Sequence, residues 1–270
     1  MQIRWLVPAC VILALCGCGK SSNPIGAGPT LNSLSIVPAT DLIMIQGTET
    51  FSSTATYSNG STGVVQSTWS SDAPSVATVD ASTGRATGIG AGQATIVARY
   101  SNIQATRLLR VVPDYHGQWT GDWAVTACSS DGDWQQMNVC QTVYATGSLW
   151  ALAFVANQTR DAVSGTIDFG DNLPGPVTGT IAMNGHLTVS GTYAVVTEGI
   201  SVEVTVSNWD TTSTDNMRMT GHFRLTLRMG GIQGSVSTDG DLRIVAKGTT
   251  PTAITPGGIV HALGRRATHR

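Results

Sequence analysis

The chain has 270 residues, of which 12% are charged, and its formal net charge is −2 at pH 7. That charge balance, with a pI near 6.2, excludes a broadly basic nucleic-acid-binding protein. An apolar fraction of 41% supplies a sizeable core and excludes wholesale disorder. The 31 glycines favour strands and turns over helices. Composition therefore predicts a β protein of an extracellular compartment.

Residues 1–17 have the pattern of a signal peptide. Arg4 supplies the positive charge, and the apolar stretch that follows is shorter than the ~20 residues of a membrane span. The stretch ends in Leu15-Cys16-Gly17-Cys18, which resembles the lipobox of bacterial lipoproteins. The resemblance implies cleavage before Cys18 and acylation of that residue by fatty acids such as palmitate. An ordinary secretory signal without lipidation is the alternative.

Residues 18–30 are predicted to be the lipidated cysteine and a flexible tether. The run GKSSNPIGAGPT is rich in Gly, Ser and Pro and has no periodicity. Such a linker spans on the order of 20 Å. Gly19 follows the cysteine, which implies an outer-membrane destination if sorting resembles that of enteric bacteria. The expected first partner is therefore a membrane of the bacterial cell envelope, reached through a lipid anchor.

Residues 31–113 alternate apolar stretches with turn signals at short intervals, which is typical of a β-sandwich. The run from Trp69 to Asp80 (WSSDAPSVATVD) and its continuation to Ile96 resemble the bacterial Ig-like domain, group 2. The resemblance implies a spacer or adhesion module without catalytic residues. We expect Trp69 to fill the core and residues 82–84 to form a turn; a ligand-stacking role for Trp69 is the alternative.

Residues 114–248 are predicted to form an antiparallel β-meander. In the segment from Met217 to Met229, apolar and polar residues alternate strictly, which indicates one long strand with a buried face. Asn184-Gly185, Gly230-Gly231 and Asp239-Gly240 each separate two such runs and predict hairpin turns.

Glycines recur inside the predicted strands of this meander, at positions 165, 179, 191 and 221. A glycine in a strand marks a bend or a close backbone approach. A sheet on the order of eight to ten strands that bends repeatedly tends to close and lose its edges. The predicted fold class is therefore all-β: an Ig-like sandwich followed by an up-and-down barrel or a strongly curled sheet.

The start of the meander, Gly117-Gln118-Trp119, resembles the opening motif of lipocalin-like barrels. The resemblance implies that Trp119 plugs one end of the barrel and that a late basic residue, for which Arg243 is the candidate, packs over it. Trp123 ends the next similar run, Gly121-Asp122-Trp123. The remainder of the lipocalin pattern is not evident in this chain.

Cys128 and Cys140 are the two cysteines that follow the lipobox. In an oxidising envelope they are expected to form a disulfide that closes a loop around Trp134. A loop of this size stabilises the fold by ~3 kcal/mol in the chain-entropy model. Because its neighbours are polar, Trp134 is expected to be exposed. Trp134, Trp119 and Trp123 are the candidate ligand-binding residues, since aromatic side chains can stack on sugars or enclose apolar ligands.

Motifs for catalysis are not found in this sequence. It contains no nucleophile elbow, phosphate-binding loop, dinucleotide fingerprint or HExxH, and its five histidines have no metal-ligand spacing. We expect no catalytic residue, no metal and no cofactor. Three aspartate pairs occur beside Gly or Asn, as turn residues do, and Asp168 with Asp171 is an alternative calcium site: the pairs are Asp131/Asp133, Asp168/Asp171 and Asp239/Asp241.

Residues 249–270 are expected to be a mobile tail. The first functional hypothesis is a non-enzymatic, envelope-anchored protein whose Ig-like spacer presents the β domain to a surface protein or a glycan. The second is a carrier of a small apolar ligand or carbohydrate in the barrel. The third is a hydrolase whose residues meet only in three dimensions.

Overall fold

The computed structural model describes residues 28–170, 173–197 and 199–248. The predicted signal peptide, the lipobox with Cys18, most of the tether, Asp171 and the predicted tail lie outside these residues.

Strands of the N-terminal unit form three small sheets. One has the order β1-β4-β5, the second β2-β10-β9-β6 and the third β3-β8-β7. All pairs are antiparallel except β2 with β10. The strands are β1 (Leu31–Val37), β2 (Leu42–Met44), β3 (Thr48–Thr50), β4 (Ser52–Tyr57), β5 (Thr62–Val65), β6 (Thr68–Ser71), β7 (Ala77–Val79), β8 (Arg85–Gly88), β9 (Gly92–Tyr100) and β10 (Ile103–Val112).

The core of this unit lies between the sheets. Trp69 is 5% exposed and stacks against Phe51 with ring centroids 6.4 Å apart. Trp69 therefore fills the sandwich core as predicted. The turn at residues 82–84 also forms, and its Asp80 carboxylate accepts hydrogen bonds from the backbone N–H groups of Ser82 and Thr83. These bonds hold the pKa of Asp80 well below its usual range.

Eight antiparallel strands form the C-terminal unit and close into an up-and-down barrel, which confirms the predicted fold class. Each strand pairs with its sequence neighbours, and the last pairs with the first. The strands are β11 (Gly117–Ser130), β12 (Leu149–Thr159), β13 (Ala162–Asp168), β14 (Gly175–Ile181), β15 (Leu187–Thr197), β16 (Ile200–Thr212), β17 (Arg218–Met229) and β18 (Val236–Lys247). Two short helices, α1 (Gly132–Gln136) and α2 (Val139–Thr142), separate β11 from β12.

The glycines inside the strands lie where backbones approach closely. A Cβ at Gly191 would come within 2.7 Å of the Pro176 carbonyl oxygen, and one at Gly221 would lie 2.6 Å from Thr211 Cα. Such separations are shorter than real contacts allow, so these positions accept only glycine. The prediction of close approach and closure is confirmed.

One predicted turn is wrong. Asn184-Gly185 turns the chain between β14 and β15, and Gly230-Gly231 lies in the loop between β17 and β18. Asp239-Gly240, however, lies inside β18. Position 240 requires glycine because a Cβ at this position would lie 2.5 Å from the Trp123 ring and 2.8 Å from the Phe223 ring. The glycine makes room for aromatic rings and does not turn the chain.

The two units contact each other through paired polar groups. Arg110 at the end of β10 forms an ion pair with Asp161 at 3.0 Å. Asp41 accepts two hydrogen bonds of 3.0 Å from Arg160. Asn216 donates its amide N–H to the Ile45 carbonyl oxygen at 2.9 Å. These contacts join the Ig-like unit to the loops at one end of the barrel, here called the near end: loops β12–β13, β14–β15 and β16–β17.

Candidate binding surfaces of the barrel

Aromatic side chains fill the interior of the barrel. The rings of Trp123 and Phe223 lie 5.1 Å apart between centroids, and Phe169 and Trp209 are both within 5.5 Å of Phe223. Trp123 is fully buried, as is Phe154, which lies 5.9 Å from Trp209. Such offset and edge-to-face pairs contribute about 0.5–1.5 kcal/mol each beyond their buried area. The described interior is therefore a packed aromatic core.

Trp119 closes the near end of the barrel. Its indole N–H donates to the Tyr115 carbonyl oxygen at 2.8 Å, and its ring is fully buried. The basic residue over this ring is Lys247, whose Nζ lies 5.7 Å from the ring centroid and 2.8 Å from the Asp114 carboxylate. The prediction for Arg243 is wrong, because Arg243 is exposed on the outer face of β18.

A cap covers the other, far end of the barrel. We define the cap as residues 131–148, which contain α1 and α2. Cys128 and Cys140 form a disulfide with a sulfur–sulfur distance of 2.04 Å, so the predicted bridge is present. Within the cap, Tyr144 is fully buried and its ring lies 5.2 Å from that of Trp150.

Trp134 is fully buried, so the prediction that it is exposed is wrong. It lies on α1, and the disulfide holds this segment against the barrel. Its polar neighbours occupy the outer face of α1, where Gln135 and Gln136 are exposed. Trp134, Trp119 and Trp123 are all fully buried and pack against protein. A ligand role for any of them stays a prediction.

The aspartates of the cap act as structural clamps. Asp133 accepts a hydrogen bond of 2.9 Å from the Gln233 backbone N–H, and its own N–H donates to the Gln233 carbonyl oxygen at 3.0 Å. These bonds fasten the β17–β18 loop to the cap. Asp168, one half of the alternative calcium pair, accepts a hydrogen bond from the Gly170 N–H at 2.9 Å, as a turn residue does.

Cross-strand ion pairs mark the outer wall of the barrel. Arg224 binds Asp239 through two hydrogen bonds of 2.7 and 2.8 Å. This contact lowers the pKa of Asp239 and raises that of Arg224, because each charge stabilises the other. His186 and Asp210 form a further contact of 2.6 Å. The alternating arginines of β17 therefore face solvent, as the sequence pattern indicates.

An open groove lies on the outer wall between β14, β15 and β16, with a volume of about 570 Å³. We call it the wall groove. Three residues in one cross-strand row, Gly179, Val189 and Trp209, form its floor. The side chains of Val189 and Trp209 are buried inside the barrel, so the floor presents mainly backbone. The rim consists of Thr178, Thr180, Thr188, Ser190 and Asn208.

One irregularity in strand pairing shapes the wall groove. Strand β16 advances three residues where each neighbouring strand advances two, from Val206 to Trp209 against β15 and from Ser207 to Asp210 against β17. Asn208 lies in this bulge with a φ of 50°, a left-handed conformation that asparagine tolerates better than most residues. Sequence reasoning missed this groove, although the alternating Thr and Ser of β14 and β15 indicated a polar outer face.

Within the described residues, no group of three or more His, Cys, Asp and Glu side chains could hold a metal ion. Among the same residues, neither helix is long and apolar enough to cross a membrane.

The fold defines an all-β protein with an Ig-like sandwich and a closed, eight-stranded barrel. Residues 31–105 match the family model of the bacterial Ig-like domain (group 2), which confirms the resemblance predicted for this part of the chain. That match points to a protein of the cell surface or envelope. No curated protein matches the chain significantly.

Two solved structures show a low overall likeness. Domains 5–6 of the S-layer protein SbsC align with a TM-score of 0.29 and 16% identity, over 78% of this chain and 97% of that one. Domains 4–9 of the surface layer protein SbsC give the same TM-score and identity, over 78% of this chain and 31% of that one. No functional conclusion follows from either likeness.

Proposed function

We propose that the protein is a non-enzymatic lipoprotein of the bacterial cell envelope, anchored through Cys18, whose Ig-like unit holds the barrel at a distance for surface contact. The proposed partner is a surface protein or a glycan, and the proposed location of the anchor is the outer membrane. The match of residues 31–105 to a bacterial Ig-like domain supports the spacer role.

The course of the chain through the Ig-like unit carries this proposal. Strand β10 ends at the barrel and begins, about 30 Å away, beside the turn that follows Tyr100. Tyr57 hydrogen-bonds Tyr100 there, a contact that raises the pKa of Tyr57. Leu31, the first residue of β1, pairs with Tyr57. The tether therefore joins the spacer at the end opposite the barrel.

The contacts between the units support a spacer that also orients the barrel. Gly185, in the near-end β14–β15 turn, lies so close to the Ig-like unit that a Cβ would come within 3.2 Å of Pro113. Leu42 and Met44 of the sandwich pack against the barrel core. With the Arg110–Asp161 and Asp41–Arg160 pairs, these contacts keep the capped far end directed away from the tether.

The packed interior favours display over transport. A carrier of apolar ligands needs a cavity, typically of about 300–1,000 Å³. The described interior is instead occupied by Trp119, Trp123, Phe154, Trp209 and Phe223, all 2% exposed or less. A ligand would have to displace these rings, so contact through the outer surface is the function that this geometry supports.

The test of the anchor compares the chain with its Cys18→Ser variant in a bacterial host. We expect the unaltered chain in the membrane fraction, with the mass of its N-terminal peptide raised by acyl chains, and the variant in the soluble fraction. An antibody against the barrel should label intact cells that produce the unaltered chain, as display from the outer membrane requires. An unmodified N-terminus and equal distribution of both chains would refute the proposal.

A further inference from the structure

The wall groove has an uncharged lining, because none of its eight residues is ionisable. The nearest ionisable neighbours are His186 and Asp210; Asp210 pairs with Thr188 at the edge of the groove, and its carboxylate contacts the His186 ring at 2.6 Å. An anionic ligand would require arginine or lysine in the groove, and a cationic ligand would require carboxylates. The lining therefore selects against charged ligands.

The rim offers hydrogen bonds of both kinds. A hydroxyl group has one donor and two acceptor positions, and an asparagine amide has two donors and an acceptor. Thr180 and Thr188 hydrogen-bond each other at 3.2 Å, and the Thr188 hydroxyl donates to the Thr180 carbonyl oxygen at 3.2 Å, so this pair keeps acceptor positions while Ser190 and Asn208 keep donors. Ser190 and Asn208 are exposed and lie with Thr178 on one side of the floor, and Thr180 and Thr188 lie on the other side. An apolar ligand would leave these groups without partners, which is unfavourable.

The volume and shape of the groove suit a chain of small polar units. About 570 Å³ lies within the range of ligand sites, and the groove is open to solvent along the barrel wall. The floor is mainly backbone of Gly179, Val189 and Trp209, so a ligand ring can approach the sheet there without meeting a long side chain.

We propose that the wall groove binds a neutral oligosaccharide, recognised through its hydroxyl groups by Ser190, Asn208 and the threonines of the rim. Sugar hydroxyls donate and accept, as the rim groups do, and carry no charge, as the lining requires. This inference rests on the proposed display function, for which it supplies the class of partner.

The test is titration of the purified chain with cellohexaose, chitohexaose, maltohexaose and mannohexaose, followed calorimetrically and by shifts of backbone amide resonances. We expect at least one of these neutral hexasaccharides to bind at concentrations up to about 10 mM and to shift amides of β14 and β15. Heparin serves as the anionic comparison and should not shift them.

Two variants locate the site. Asn208→Gly removes the amide and keeps the left-handed backbone, and Ser190→Ala removes a hydroxyl that is exposed on the rim. Each should weaken binding by roughly 2- to 12-fold, the loss of one neutral hydrogen bond. The matched control is Thr192→Val with Thr205→Val, an exposed threonine pair on the same wall outside the groove. It should bind as the unaltered chain does.

Binding of no neutral hexasaccharide, stronger binding of heparin, or equal weakening by the control pair would overturn the inference. Thermal unfolding of each variant, monitored by tryptophan fluorescence, separates a lost contact from a lost fold. Because these titrations use the purified chain, they can fail while Cys18 anchoring and display hold, and the two proposals are refuted separately.

Discussion

Replacing Gly240 by alanine tests whether the aromatic core of the barrel is as tightly packed as its geometry indicates. The new Cβ would lie 2.5 Å from Cε3 of Trp123 and 2.8 Å from Cζ of Phe223. Neither ring can retreat freely, because Trp123 also contacts Trp150 and Phe169 at centroid distances of 6.4 and 6.2 Å. The substitution therefore forces two rings to move together.

The size of the effect follows from two opposing contributions. Inserting a methyl group into a well-packed core costs about 1–3 kcal/mol, and contacts with two confined rings place this case near the upper limit. Replacing glycine by alanine also lowers the conformational entropy of the unfolded chain, which stabilises the folded state by about 0.4–1 kcal/mol. We expect the free energy of unfolding to fall by about 2 kcal/mol.

The measurement is denaturant unfolding followed by tryptophan fluorescence, which reports mainly on the barrel because Trp69 is the one described tryptophan outside it. Gly230→Ala is the matched control: its nearest neighbour would be the Ser201 carbonyl oxygen at 3.4 Å, an ordinary contact. That variant should be as stable as the unaltered chain or slightly more so. Equal stability of the Gly240 and Gly230 variants would refute the tight packing.

Three further predictions concern the cap and the junction between the units. Cys128 and Cys140 are 12 residues apart, and replacing both by alanine should lower the free energy of unfolding by about 3 kcal/mol. The double variant should also expose Trp134 to acrylamide quenching. Unchanged quenching would show that the cap stays in place without the disulfide. Asp161→Asn should lower the free energy of unfolding by less than about 1 kcal/mol, because the carboxylate is half exposed. The same substitution should increase proteolysis at the junction between the units, and unaltered cleavage would refute an orienting role for the Arg110–Asp161 pair. The Arg110 guanidinium holds the pKa of Asp161 below its ordinary 3.8, so the ionised form stabilises the fold above that pH and the stabilisation is lost as pH falls through the lower, folded value. Stability measured against pH should therefore decline less steeply below pH 3.8 in Asp161→Asn than in the unaltered chain, and parallel curves would contradict the assignment.

Local patterns in the sequence predicted most of the fold because each strand carries its own signal. In β17, Met219, Phe223 and Leu225 are buried and alternate with exposed residues such as Arg224, so period two alone identifies the strand and its inner face. Closure was predictable because interior glycines mark bends. The Ig-like unit was predictable from the motif around Trp69, which the family match confirms.

The predictions that were wrong depended on contacts between distant segments. Gly240 has the local chemistry of a turn, and its role is set by Trp123, which is far from it in sequence. Trp134 has polar neighbours, yet its burial is decided by the disulfide and by the barrel end beneath it. The wall groove depends on how the bulge of β16 around Asn208 pairs with the neighbouring strands, which the local pattern of one strand does not reveal. The local sequence pattern therefore predicts each strand, whereas the surfaces that several strands form together depend on how those strands pair.

The opposite placement of the proposed tether and the barrel on the Ig-like unit has a mechanical consequence. A pull between them acts along the strands, because β1 leads away from the tether and β10 leads into the barrel. β2, which follows β1, runs parallel to the end of β10, with Leu42 beside Arg110 and Met44 beside Val112. Tension that passes through β1, which pairs with β4, into β2 loads the β2–β10 hydrogen bonds together in shear, whereas a hairpin pulled at its open end breaks one bond at a time. We expect the Ig-like unit to transmit force to the barrel without lengthening, which would keep the proposed partner at a fixed distance from the proposed anchor.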